Sequence, residues 1–131
     1  MNQDIKDYIE KWIFRANEDF AVCQHLASVN IEQYSSTICF HAHQAVEKYL
    51  KAFLTYKGVD FPRTHDLDYL LAECSSVDNN SFNDIDLKEL SEFGVIIRYP
   101  DDFFIPSHSE TNYFVELTRH LKEVVERLIC F

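Results

Sequence analysis

Glycine and proline are scarce in this chain of 131 residues, with two of the first and three of the second. So few breakers leave little room for tight turns and point to long helices with short connections. Gly58 and Gly94 stand far apart, which excludes a glycine-rich phosphate loop. Cys23, Cys39, Cys74 and Cys130 contain no C-x-x-C pair, so neither a zinc knuckle nor a thioredoxin-type site is suggested. Each lies in helix-like sequence and reads as a small core residue. No apolar run is long enough to span a membrane, and a signal-peptide core is lacking. A location in the reducing cytoplasm is expected.

Cations are also in deficit. Twelve Lys and Arg face 22 Asp and Glu, a formal net charge of −10. Nucleic-acid binding needs cationic residues facing phosphates, so general binding of that kind is not expected. A local basic pocket remains compatible. Between His41 and His65 the balance reverses, with Lys48, Lys51, Lys57 and Arg63 against Glu47 and Asp60.

What the chain has in quantity is helical periodicity. Placed at about 100° per residue, Ile38, Ala42, Ala45, Val46, Tyr49, Leu50 and Phe53 fill one broad arc. An arc that wide belongs to a helix packed on by several neighbours. The helix is predicted over 34–56, with His41, Gln44, Lys48, Lys51 and Thr55 forming a polar stripe on its other side. Before it, Ile5, Tyr8, Ile9, Trp12, Ala16, Phe20 and Cys23 predict a helix over 5–26, with Asp4, Glu18 and Asp19 as solvated charges.

Gly58 is the expected left-handed cap of the central helix. Thr64 is the expected N-cap of a short helix over 67–74. Residues 75–83 read as the longest loop. Asp84 should cap a further helix with Leu87, Leu90, Phe93 and Ile97 inward, ended by Pro100. Phe103 and Phe104 follow in a loop. Ser107-His108-Ser109-Glu110 has the spacing of a capping box and opens a last helix reaching about Cys130. No strand alternation or internal repeat is found. The expected fold is all-α: one domain over 1–131, an up-and-down four-helix bundle with an additional short helix.

Three segments, HAHQAVEKYLKA (41–52), RTHDLDYLL (63–71) and IIRYPDD (96–102), together resemble the HEPN domain family in their order and spacing. Trp12, Ala16 and Asp19 of the first helix fit as well. The resemblance covers nearly the whole chain. It implies a helical bundle, usually a homodimer. Many members sit beside a minimal nucleotidyltransferase in a two-gene module, often of toxin–antitoxin type. The bundle also resembles the substrate-binding helical domain of antibiotic nucleotidyltransferases. Other members are metal-independent ribonucleases, so fold alone does not choose the function.

The ribonuclease branch carries an Arg followed, after four to six residues, by a His. After Arg98 those positions are Phe103, Phe104 and Ile105, and His108 comes only after nine intervening residues. Arg15, Arg63, Arg119 and Arg127 lack such a histidine too. The motif is absent, which makes an Arg98–His108 ribonuclease the alternative reading. His41 and His43 point roughly 200° apart on a helix and cannot chelate together. Cys39 with His43 could, but His43 sits at the edge of the apolar arc and reads as a core histidine. No metal or cofactor is expected.

Lys48 and Lys51 share a face with Gln44. One reading is a solvated stripe with salt bridges to Glu47 or to acids of a neighbouring helix. The other is an anion-binding groove in which Gln44, Lys48, Lys51, His65 and Arg98 hold a nucleotide or other phosphate-containing ligand. A non-enzymatic module binding such a ligand, or a nucleotidyltransferase partner, is the expected function; a purely structural dimerisation domain is a third possibility.

Overall fold

The computed structural model describes residues 1–94 and 104–131. Ile97, Arg98, Pro100 and Phe103 lie outside them. The described residues form an all-α bundle: α1 (Gln3–Asn30), α2 (Ser35–Tyr56), α3 (Leu67–Val77), α4 (Asn79–Phe82), a 3-10 turn (Leu90–Phe93) and α5 (His108–Leu128).

α2 is the centre. Ile38, Ala42, Ala45, Val46, Tyr49, Leu50 and Phe53 are all fully buried, as the predicted arc requires. α1 packs antiparallel to it: the Cys23 thiol meets the Ile38 carbonyl, and Tyr49 donates to Asn17 Oδ1 at 2.5 Å further along. α5 runs parallel to α2, since Cys39 neighbours Thr111 near both N-termini and Tyr56 donates to the Cys130 carbonyl near both C-termini. Phe114, Leu121, Val124 and Val125 of α5 close the core. Its capping box is complete: Ser107 Oγ accepts from Glu110 N, and Glu110 Oε1 accepts from Ser107 N.

Several local expectations are corrected. α1 extends to Asn30, beyond the predicted end at residue 26. Ile5 and Tyr8 share the periodicity of its core face but are 41% and 50% exposed, because a cleft opens beside them. Asp66, not Thr64, caps α3 by accepting from Tyr69 N, while Thr64 Oγ1 accepts from Asp66 N. The expected loop over 75–83 is largely helical. Asp78 caps a new turn there by accepting from Ser81 N, and Phe82 turns inward onto Phe53, 4.8 Å between ring centroids.

The helix expected to start at Asp84 does not form through residue 89. Asp84 pairs with His120 of α5 instead of capping, and Lys88 takes a left-handed φ of 48°. Leu87, Leu90 and Phe93 still reach the core. Cys23, Cys39 and Cys74 are buried, but Cys130, past the end of α5, is exposed. No helix among the described residues is long and apolar enough to cross a membrane.

Candidate functional site

The end of α2 sets the site. Gly58 has φ +70°, and its N–H and that of Val59 donate to the Thr55 and Leu54 carbonyls. This is the glycine-terminated reversal that closes a helix end. The chain then folds back along α2, so that His65 Nδ1 lies 2.8 Å from Glu47 Oε1. Between this returning segment, α2 and the first half of α1 lies a cleft of about 880 Å³.

The walls of the cleft are aromatic and apolar: Ile5, Tyr8 and Trp12 from α1, and Val59, Phe61 and Pro62 from the segment after Gly58. Its polar groups are Gln44, Glu47, Lys48, Lys51 and Thr55 of α2, with Asp60, Arg63, Thr64 and His65 opposite. Gln44, Lys48, Lys51 and His65 therefore share one cleft. Arg98 lies outside the described residues. His108 is not in the cleft; it is exposed at the start of α5, 3.5 Å from Glu32 in the turn after α1.

Both lysines carry a carboxylate. Lys48 Nζ is 2.5 Å from Asp19 Oδ2, whose other oxygen is 2.9 Å from His41 Nδ1. Lys51 Nζ is 3.1 Å from Glu47 Oε2, and these two side chains are only 7% and 4% exposed. The Lys51 ammonium also lies 5.5 Å from the Trp12 ring centroid and 5.9 Å from that of Phe61. Aromatic faces attract a cation at such distances, which helps offset its removal from water. Both lysines are thus salt-bridged, but the stripe is not solvated as that reading had it, because Lys51 and Glu47 are buried.

Asp19 is not the solvated charge expected of it. Its side chain is 15% exposed and bridges α1 to α2. The signal lay in its position: Trp12, Ala16, Asp19 and Cys23 follow steps of four, three and four, so Asp19 belongs to the inward stripe. Glu47 sits in step with His43, Leu50 and Leu54, on the edge of the apolar arc. It holds both Lys51 and His65.

Two buried nitrogens flank the site without a hydrogen-bond partner among the described residues, Trp12 Nε1 and His43 Nε2. His43 is fully buried, as expected of a core histidine. Burial holds its pKa below the ordinary value, with nearby Glu47 pulling the other way. No group of three or more His, Cys, Asp or Glu among the described residues is arranged to hold a metal ion.

The architecture is that of a helical bundle module with a mixed aromatic and charged cleft on its central helix. A family model described as HEPN domain matches residues 9–128. The chain belongs to the HEPN domain family. No curated protein and no solved structure matches it significantly.

Proposed function

We propose that this protein is a HEPN module that binds a nucleotide-like, phosphate-bearing ligand in the cleft and does not cleave RNA. One observation carries the reading: the same cleft is lined by aromatic residues (Tyr8, Trp12, Phe61) and by cationic ones (Lys48, Lys51, Arg63). A base can stack on aromatic faces, while an arginine fork and lysine charges suit phosphate. Arg98, which lies outside the described residues, is assigned to the same ligand. The absent Arg–His spacing and the seat of His108 away from the cleft speak against the nuclease alternative.

The module would act as a homodimer, with Phe104 and Ile105, 50% and 55% exposed, in the contact. A nucleotidyltransferase, in the toxin–antitoxin setting that the family resemblance implies, is the partner proposed for it. Calorimetry with nucleoside mono- and triphosphates, set against inorganic phosphate, tests the ligand. Wild type is expected to bind nucleotides more tightly than phosphate. Arg63→Ala and Phe61→Ala, one exposed and one half-buried, should each weaken binding about tenfold or more. Absence of binding, or binding unchanged in both variants, overturns the reading, as does RNA cleavage that disappears in His108→Ala.

A further inference from the structure

The two lysines of the cleft are already paired. Lys48 is held by Asp19 and Lys51 by Glu47, and Asp60 stands in the lining with Arg63. Of these three cations, Arg63 alone has no ion pair among the described residues. A phosphate monoester, dianionic above its second pKa of about 6, would meet one unpaired cation, Arg63, for its two negative charges. Burying a charge without compensation is costly. One group in the lining can gain a charge on demand. Histidine is the side chain that ordinarily changes charge between about pH 5 and 8.

His65 is built for this. Its Nδ1 is fixed on Glu47 Oε1 at 2.8 Å, and Glu47 is itself held by Lys51 through its other oxygen. A carboxylate acceptor keeps the proton on Nδ1 and leaves Nε2 as the atom that can take another. The imidazole is 77% exposed on the cleft, and Nε2 has no hydrogen bond among the described residues. The ring is thus oriented by a buried group while its second nitrogen stays open to whatever enters.

We infer that His65 takes up a proton when a phosphate-bearing ligand enters the cleft, with Glu47 as the residue that positions its ring. The inference rests on the phosphate-ligand reading above and assigns that ligand a proton-linked contact. The bound imidazolium lies between the phosphate and Glu47 and is stabilised from both sides. Glu47 contacts it; the other titratable or charged groups of the lining are Lys48 and Lys51 of α2, Tyr8 of α1, and Asp60 and Arg63 of the returning segment, with His43 buried nearby. His41 is engaged by Asp19 and is not in the lining.

The experiment is calorimetry with a nucleoside monophosphate and with inorganic phosphate, in two buffers of different ionisation enthalpy at pH 7.5, repeated between pH 6.5 and 8. Exposure of His65 makes its variants compatible with folding, and a thermal melt checks this. Wild type is expected to take up a measurable fraction of a proton per ligand and to bind about threefold or more weakly at pH 8 than at 6.5. His65→Gln should lose the uptake at pH 7.5 and bind more weakly. His65→Lys, a permanent cation, should retain affinity and lose most of the pH slope. Wild-type binding without proton uptake, or uptake persisting in His65→Gln, overturns the inference and leaves the ligand reading standing. No binding of either probe to wild type overturns both.

Discussion

His43 and Gly94 are a pair that neither residue type would suggest alone. A Cβ built on Gly94 would stand 2.9 Å from His43 Nε2, and the ring is fully enclosed. The φ of Gly94 is an ordinary −72°, so the constraint is space and not backbone conformation. Gly94→Ala is expected to cost about 1–3 kcal/mol in urea unfolding, and much less in a His43→Ala background, where the ring is gone. The same histidine makes the fold acid-sensitive. Burial lowers its folded-state pKa, so the unfolded chain binds the proton more readily. Its contribution to stability is present above the unfolded value of about 6.5 and declines as pH falls below it, by up to about 1.4 kcal/mol per pH unit. Stability measured from pH 7 to 5 should fall more steeply for wild type than for His43→Ala; parallel slopes would refute this.

Helix periodicity told which residues of α2 face inward because that helix is covered on nearly every side, leaving its pattern unbroken. α1 was legible along most of its core face, but periodicity does not say whether a neighbour covers the face at each level. Ile5 and Tyr8 keep the apolar period and meet a cleft instead of a helix. Caps were legible at Gly58 and Ser107 but not at α3, where Asp66, two residues past the expected Thr64, takes the role. The expected helix from Asp84 failed because its charge is drawn to His120, 36 residues away, and Lys88 leaves the helical region. All four candidate site residues with a described position, Gln44, Lys48, Lys51 and His65, line one cleft, and Arg98 lies outside the described residues. The fold-back that brings in His65 was readable from Gly58, whereas the roles of Asp19 and Glu47 depend on partners supplied by other elements. At this scale the test is the capping box of α5. Ser107→Ala removes the acceptor of Glu110 N and is expected to cost about 1 kcal/mol, read as a lower urea midpoint with an unchanged slope. A loss confined to the measurement error would show that the cap is not needed to hold α5.

As a whole, the molecule carries a net charge of −10 and still leaves large apolar side chains in water, among them Phe14, Val29, Phe104 and Ile105. Light scattering at tens of micromolar should give twice the chain mass of 15.5 kDa, and Phe104→Ser with Ile105→Ser should return the monomer. A monomeric wild type would refute the homodimer. One further consequence concerns light. Trp12 is the chain's single tryptophan, and it stands in the cleft wall with the Lys51 ammonium over its ring and its own N–H unmatched. All tryptophan fluorescence therefore originates at the cleft, and its wavelength and quenching follow what the cleft contains. Cys130 adds a second optical handle: it is the exposed thiol, while burial encloses Cys23 and raises Cys39 and Cys74 to about 11 and 12. A dye placed there would be excited by energy transfer from Trp12, so occupancy and the distance to the C-terminal end could be followed in one cuvette without altering a residue.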